Sequence, residues 1–398
     1  MDDTQHIWDL LSRVEQVADL LKNTFVAKDE LIDLMVTSAL AQEHLLIVGP
    51  PGTAKSELIK RFALLCTDGE ANYFEYLLTR FTEPNEIFGP VNIAAFREGH
   101  GAMRNVTQML PSAEVAFLDE VFKANSAILN ALLTILNERL FYNGGQRQEV
   151  PLLFAVGATN SVPDDEQLGA LYDRFLLRYW TDNVEESRFD ELFQRGWRLE
   201  RNRLIDGYNV QLQNILTTNA LCDLNQALAG IDLDPIGVPY REVVRRLRSE
   251  GVKLSDRRVI KLLKLIAASA LRRKADAANP GDFWVLRHVW NDQEQIPHLQ
   301  NIVNEYVDAF RDDAVGTERG LTDIEGSLLM LEGQIDHLTS DIDFVDHLQQ
   351  LEALRRELMR HSGSRDNAPN ETRELHGQLQ NRTNAMIEQL MQMLERQL

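Results

Sequence analysis

A glycine- and proline-containing loop between a short apolar run and a helical pattern constrains the fold of this chain more than any other feature. The apolar run covers residues 45–48, and apolar side chains recur at helical spacing after the loop. A strand, such a loop and a helix form the context of a phosphate-binding loop, because loop N–H groups and a helix N-terminus attract a polyphosphate. The loop reads Gly49-Pro50-Pro51-Gly52-Thr53-Ala54-Lys55-Ser56.

The last residues of this loop point to a nucleotide. Lys55 is expected to reach the β- and γ-phosphates, and the Ser56 hydroxyl to complete the coordination of Mg²⁺. Ala54 stands where a glycine is usual, and its methyl group fits only if the backbone avoids a glycine-only conformation. An ordinary Gly/Pro turn is the alternative, but the Lys-Ser pair at the expected position favours a nucleotide site.

A second signal is an apolar strand that ends in the pair Asp119 and Glu120. In a P-loop enzyme the first acid orients Mg²⁺ through its water shell, and the second polarises the attacking water. The pair follows a strand, and α/β sheets bind ligands at the carboxyl ends of strands. An acidic helix N-cap is the alternative interpretation.

A third buried strand, residues 153–159, ends in Asn160. From the neighbouring strand, this amide is placed to hydrogen-bond the γ-phosphate or the hydrolytic water. An asparagine at the end of a strand is also a common turn residue, so this residue carries weight only together with the other two signals.

Strands that alternate with helices predict an α/β fold with a mostly parallel sheet covered on both faces. Residues 88–112 are predicted to form an insertion or hairpin on this core, and Asn143-Gly144-Gly145 a hairpin turn. Helical patterns follow, and steps of three and four after residue 317 predict a coiled-coil-like helical hairpin. The predicted domains are an αβα nucleotide-binding core at 1–184, a helical lid at 185–312 and a helical arm at 313–398.

The predicted lid contains two arginines, Arg257 and Arg258, in the first turn of a helix capped by Ser255. Cations are unfavourable at this end of a helix dipole. Local costs of this kind often mark function, so the arginines are predicted to face an anionic group. Solvated arginines are the alternative.

Charge and composition limit the partners and the compartment. The chain has 61 acidic and 41 basic residues and a net charge of −20, which disfavours general electrostatic binding to nucleic acid and favours protein partners. No run approaches the length of a membrane span, and the acidic N-terminus lacks a signal-peptide pattern, so a cytoplasmic location is expected. Cys66 and Cys222 lack metal-ligand spacing and are predicted to be reduced structural thiols.

Taken in this order, the motifs resemble those of AAA+ ATPases and, more closely, the MoxR family. The resemblance covers roughly residues 5–312. Within the family, Ala54 and the stretches 76–81 and 255–258 are similar to the RavA branch. That branch carries a further β-rich domain, whereas residues 317–398 show only helical patterns. Further shared motifs are Phe88-Gly89-Pro90, Asn137-Glu138-Arg139 and Leu171-Tyr172-Asp173-Arg174-Phe175.

The resemblance implies ATP and Mg²⁺ as ligands, a homo-hexameric ring and chaperone-like remodelling of a protein client, with a von Willebrand factor A domain protein as partner. It also implies residue roles. Lys55 and Ser56 match Walker A, Asp119 and Glu120 match Walker B, and Asn160 matches sensor 1. Arg257 matches sensor 2, with Arg258 as second choice. Arg174 matches an arginine finger, with Arg178 and Arg139 as weaker candidates.

Three other functions stay open at this stage. The first is a nucleic-acid-associated AAA+ motor, which the acidic charge disfavours. The second is a chelatase-like motor subunit that inserts a metal. The third is a scaffold with a degenerate nucleotide site, which the presence of both Glu120 and Asn160 opposes.

Overall fold

The computed structural model describes residues 2–67, 73–97, 101–163, 166–206, 215–308, 310, 328, 332, 351 and 378–387. Contacts divide the chain into two compact units, Met1–Ala314 and Val315–Leu398. The predicted boundary between core and lid lies inside the first unit and stays a prediction.

A parallel five-stranded sheet organises the first unit, as the sequence predicts. Its strand order is β2-β3-β6-β1-β7, and all of the pairings are parallel. Every residue of β1 and β6 is buried. Because successive side chains of a strand point to opposite faces, this burial shows that both faces are covered at the centre of the sheet. The strands are β1 Leu45–Val48, β2 Tyr73–Leu77, β3 Val115–Asp119, β6 Phe154–Thr159 and β7 Leu177–Trp180.

Helices α1 to α7 belong to the same part of the chain as the sheet. Each of β1, β3 and β6 is followed by a helical segment, and this alternation positions the strand ends beside helix starts. The bounds are α1 Asp2–Thr24, α2 Asp29–Ala41, α3 Lys55–Leu65, α4 Pro84–Phe88, α5 Ile93–Arg97, α6 Ser126–Glu138 and α7 Glu166–Tyr172.

A small antiparallel hairpin lies between α6 and β6. Its strands are β4 Leu140–Asn143 and β5 Gln146–Glu149. Gly144 and Gly145 form the predicted two-residue turn, and both have positive φ, as the favoured hairpin turn requires. The described part of the predicted insertion or hairpin, residues 88–97 and 101–112, contains α5 and an isolated bridge between Val91 and Arg104.

After the sheet, the described residues of the first unit form five helices and several 3₁₀ segments. Buried hydrophobic side chains of α9 to α12 belong to the same continuous core as the sheet, whereas α8 exposes Phe189, Phe193 and Trp197. The buried Arg272 fixes this region to the first two helices, since its guanidinium pairs with Glu15 at 3.0 Å and Asp33 at 2.9 Å. The helices are α8 Phe189–Asp206, α9 Thr218–Ala227, α10 Gly237–Ser249, α11 Asp256–Arg272 and α12 Ile296–Val307.

Most of the predicted C-terminal arm lies outside the described residues. Within the second unit, residues 378–387 are helical, and Leu379, Thr383 and Met386 are buried. Spacings of four and three residues place these side chains on one face of the helix. Arg382 also pairs with Glu332 at 2.5 Å.

Gly157, at the middle of β6, sits where the core leaves no room for a side chain. A Cβ at this position would lie 2.7 Å from the Phe175 ring and 3.1 Å from a Leu46 methyl group. Phe175 is fully buried, so its ring has no free space into which to move.

We expect Gly157→Ala to lower the free energy of unfolding by about 1–3 kcal/mol, because the new methyl group overpacks the core. Gly169→Ala is the matched control, since Gly169 lies in α7 and a Cβ there meets nothing within 4 Å. Thermal denaturation of both variants checks the prediction. Equal melting temperatures for the two would contradict it.

Candidate nucleotide-binding site

The predicted phosphate-binding loop joins β1 to α3 in the expected way. Lys55 begins α3, and its side chain is buried. Its Nζ donates to the carbonyl oxygens of Gly49 at 2.8 Å and Pro50 at 2.7 Å. Burial lowers the pKa of Lys55, while the nearby Asp119 and Glu120 act in the opposite direction. The ammonium group is therefore held within the loop, close to both acids.

Ala54 does not avoid the left-handed region. Its φ of 60° and ψ of 22° lie in the left-handed helical region, immediately before α3. A residue with a side chain pays roughly 1–2 kcal/mol for this conformation. The loop thus adopts the backbone that a glycine would favour, and the alanine is accommodated there with strain.

The two predicted acids lie at the carboxyl end of β3. Asp119 is paired with Leu77 of β2, and its Oδ1 accepts from the Glu120 N–H at 2.9 Å. Burial raises the pKa of Asp119, and the neighbouring Glu120 carboxylate raises it further. Glu120 itself has a positive φ of 52°. Strained backbone of this kind in a non-glycine residue is concentrated at functional sites.

Asn160 is hydrogen-bonded to Glu120 between the ends of the adjacent strands β6 and β3. Its Nδ2 donates to Glu120 Oε1 at 2.5 Å, and Lys123 Nζ lies 2.9 Å from the same oxygen. The ends of β1, β3 and β6 therefore bring together Lys55, Asp119, Glu120 and Asn160, as the sequence predicts. A basic loop residue, two acids and a polar amide at adjacent strand ends can bind a polyphosphate and orient a water molecule.

Arg257 is not part of this cluster. It is exposed at the start of α11, and its guanidinium donates to the Asn137 side chain near the end of α6. Arg139, two residues further on, donates to the carbonyls of Gln42 and Leu153, which precede β1 and β6. Arg257 thus lies at the amino edge of the sheet, separated from the phosphate-binding loop of its own chain by a strand length of roughly 10 Å.

Arg174 also lies away from the loop of its own chain. It is half-buried in the turn between α7 and β7, at the amino end of β7. Its Nε is buried without a hydrogen-bond partner. Among the residues that the structure describes, no carboxylate forms an ion pair with its guanidinium.

The other predicted arginines serve the fold of their own chain. Arg178 is fully buried, and burial lowers its pKa to about 9. Its guanidinium donates to the carbonyls of Trp290 at 2.5 Å and Tyr172 at 3.2 Å. Arg258 is buried as well, donates to the carbonyls of Leu176 and Val289 and pairs with Asp173 at 3.5 Å.

The anionic group that Arg258 faces is therefore Asp173 of the same chain. The structure gives no support to Arg258 as the second choice for sensor 2, because both terminal nitrogens of its guanidinium already bind Asp173 and main-chain carbonyls, although its Nε has no partner. The same applies to Arg178 and Arg139 as contacts to a neighbouring subunit. Burial raises the cost of moving a paired arginine to another partner.

Two lysines near the site were not singled out from the sequence. Lys123 is spaced three residues from Glu120 on a 3₁₀ turn, so the opposite charges alone were a usable signal. Lys28 has no such signal. Its buried Nζ donates to Thr181 Oγ1 at 2.6 Å and to the Asp182 carbonyl at 3.1 Å, beside the end of β7. Burial and the charge of Lys55 both lower the pKa of Lys28.

The donor set fits Mg²⁺ only together with a nucleotide. Ser56 and Asp119 offer one hydroxyl and one carboxylate at the ends of adjacent elements. Among the described residues no group of three or more His, Cys, Asp or Glu side chains could hold a metal ion. Mg²⁺ bound with phosphates needs only one or two protein ligands, since the phosphates and water supply the others.

Comparison with family models decides the relationship. Residues 12–220 match the model described as the MoxR domain in the MoxR-vWA-beta-propeller ternary systems. Residues 240–303 match an AAA lid domain. The chain belongs to the MoxR family of AAA+ ATPases. AAA+ ATPases generally use a nucleotide and Mg²⁺. The site at the ends of β1, β3 and β6 is consistent with membership of this family.

Individual proteins are also similar to this chain. The chain is 37% identical to an uncharacterized protein of Methanocaldococcus jannaschii over 71% of its own length and 72% of that protein. It is 28% identical to the chaperone MoxR1 of Mycobacterium tuberculosis over 40% of its own length and 41% of that protein. A putative ATPase from Cytophaga hutchinsonii has the same fold, with a TM-score of 0.59, 16% identity, and coverage of 76% of this chain and 96% of that one.

We expect Ala54→Gly to raise the free energy of unfolding by about 0.5–1 kcal/mol. The substitution removes left-handed strain of roughly 1–2 kcal/mol, and the greater freedom of glycine in the unfolded chain offsets part of this gain. Ala131→Gly, in the right-handed interior of α6, is the matched control and should lose about 1 kcal/mol. Thermal denaturation measures both, and a loss of stability in Ala54→Gly would contradict the prediction.

Proposed function

We propose that this chain hydrolyses ATP in a homo-hexameric ring and uses the energy to remodel or assemble a protein partner. The observation that carries the proposal is the cluster formed by Lys55, Asp119, Glu120 and Asn160. Membership of a family of AAA+ ATPases supports ATP as the nucleotide.

Each member of the cluster has a separate task in the proposed reaction. Lys55 binds the β- and γ-phosphates, and the N–H groups of residues 49–54 surround them. Glu120 orients and polarises the attacking water. Asn160 and Lys123 hold one oxygen of that carboxylate, so the other oxygen keeps a fixed direction. Ser56 and Asp119 would hold Mg²⁺, which when bound neutralises charge on the β- and γ-phosphates.

The positions of the arginines support a ring. Arg174 and Arg257 lie at the amino edge of the sheet, away from the phosphate-binding loop of their own chain. Neither has a carboxylate partner among the described residues. We therefore assign Arg174 as an arginine finger, and Arg257 as sensor 2, that act on the nucleotide of a neighbouring subunit. Charge stabilisation of this kind commonly contributes a factor of 10³–10⁵ to the rate.

The partner and the place within the family are further parts of the proposal. The matching family model is described by its occurrence with von Willebrand factor A domain and β-propeller proteins, which supports a partner of the first type. The stretches 76–81 and 255–258 support a position near the RavA branch. Among the described residues no helix is long and apolar enough to cross a membrane. A cytoplasmic ring with its lid at residues 185–312 completes the proposal.

Glu120→Gln should retain ATP binding and lose at least about 99% of the hydrolysis rate, because the amide cannot polarise water. Lys55→Ala should lose both binding and hydrolysis. Nucleotide affinity by fluorescence and phosphate release measure the two properties in parallel, and mass photometry reports ring formation. Retention of the hydrolysis rate in Glu120→Gln would reject Glu120 as the residue that polarises the attacking water.

Arg174→Ala should form rings and hydrolyse ATP at least about tenfold more slowly. Arg241→Ala is the matched control, since Arg241 is exposed on α10 and, within the part of the chain that the structure describes, donates only to the Gly237 carbonyl. Mixing Arg174→Ala with Glu120→Gln should restore part of the lost activity. Some interfaces in the mixture join an intact Glu120 to an intact Arg174 of the next subunit. No recovery on mixing would show that Arg174 does not act between subunits.

A further inference from the structure

The side chain of Asn143, at the tip of the β4–β5 hairpin, is hydrogen-bonded to the insertion. Asn143 is buried, and its amide makes hydrogen bonds in both directions with the backbone of Arg104. Its Oδ1 accepts from the Arg104 N–H at 2.6 Å, and its Nδ2 donates to the Arg104 carbonyl at 3.1 Å. This pattern imitates the pairing of a neighbouring strand, so it fixes both distance and direction.

Arg104 in turn is fixed within the insertion. Its guanidinium donates to Asn85 Oδ1 at 2.6 Å and to the Gly89 carbonyl at 2.7 Å, both at α4. Its backbone forms an isolated bridge with Val91, and the next residue, Asn105, donates to the Pro90 carbonyl at 2.8 Å. Arg104 therefore connects Asn143 of the hairpin to the start of the insertion at α4 and Val91.

Packing supports the same joint. The rings of Phe88 and Phe141 stack with centroids 5.3 Å apart, next to the hydrogen-bonded pair. Gly144 faces the insertion so closely that a Cβ would lie 2.6 Å from the Met103 side chain and 3.0 Å from its backbone nitrogen. By contrast, a Cβ on Gly145 would meet nothing within 4 Å. Of the two turn glycines, therefore, only Gly144 has no room for a side chain against the described residues of the insertion.

The hairpin is linked to the candidate site through α6 and β6. A 3₁₀ turn separates Glu120 from α6, β6 ends at Thr159 immediately before Asn160, and the hairpin lies between α6 and β6. Glu120 and Asn160 are hydrogen-bonded to each other. A change of their separation therefore acts on both ends of the segment that carries Asn143.

We propose that Asn143 is a positioning residue that makes the hairpin and the insertion one mechanical unit. Given the proposed function, a movement that begins at Glu120 and Asn160 reaches the insertion through this amide. The surface that moves includes exposed apolar side chains from both elements, namely Ile93, Phe96 and Tyr142.

Asn143→Asp tests this joint with a nearly isosteric change. The carboxylate keeps the acceptor for the Arg104 N–H but places an oxygen against the Arg104 carbonyl, so this hydrogen bond becomes a repulsive contact. It also removes the longer hydrogen bond, 3.4 Å, that Asn143 Nδ2 donates to Gln148 Oε1. Asn105→Asp is the matched control, because among the described residues the Asn105 side chain accepts only from the Thr107 N–H at 3.2 Å. Hydrogen exchange followed by mass spectrometry on the full chain, with and without ATPγS·Mg²⁺, supplies the readout.

In Asn143→Asp we expect amides of residues 101–107 to exchange about tenfold faster in every nucleotide state. Peptides of the hairpin should keep their response to ATPγS·Mg²⁺, whereas those of the insertion should lose it. The nucleotide affinity should stay unchanged, which a merely structural loss at the site would not allow. Asn105→Asp should match the wild type in all of these properties.

A second pair of variants separates contact from backbone strain. Gly144→Ala and Gly145→Ala place a methyl group at φ values of 58° and 87°, so both strain the turn. Only the first pushes against Met103. Gly144→Ala should therefore speed exchange in the insertion, and Gly145→Ala should not.

Insertion exchange that is the same in Asn143→Asp and wild type, in every nucleotide state, would overturn the inference. So would equal effects of the two glycine variants. A wild type that neither binds nor hydrolyses ATP would instead reject the proposed function. In that case exchange without nucleotide, compared between Asn143→Asp and Asn105→Asp, still decides whether the joint exists.

Discussion

The parallel register of the central strands determines where the functional side chains of this chain meet. β1 pairs with β6 so that Val48 lies opposite Thr159, and β3 pairs with β6 so that Leu118 lies opposite Gly157. The next residue after each strand then enters a common space at the carboxyl edge. A shift of one residue in either pairing would turn alternate side chains to the other face and separate Glu120 from Asn160.

The same register explains why the site was predictable from local patterns. The loop at 49–56, the acids after β3 and Asn160 each follow a short apolar run, and parallel strands bring their ends together. The Asn-Gly-Gly turn was equally local, because two adjacent positive φ values demand such residues. These features needed only the order of elements along the chain and the chemistry of a few residues.

The arginines were not predictable in the same way. Arg257 and Arg258 are adjacent in the sequence, yet one is exposed and the other is buried against Asp173. Arg174 and Arg178 differ similarly, since β7 turns the second into the core. The sequence shows the charge of each residue but not the direction of its side chain, which depends on distant packing. The left-handed backbone of Ala54 was missed for a related reason, because loop closure rather than residue preference sets it.

Two buried arginines form hydrogen bonds to main-chain atoms of a segment that is distant in the sequence. Arg178 donates to the carbonyl oxygen of Trp290, and Arg258 donates to that of Val289, so both contacts with this segment are made to the main chain. Every amino acid supplies such an oxygen, so substitutions that preserve the path of the backbone leave this attachment intact. Paired changes between positions 178 or 258 and positions 289–290 would consequently not accumulate during evolution. Methods that infer contacts from co-variation would overlook a joint on which the packing of this segment depends.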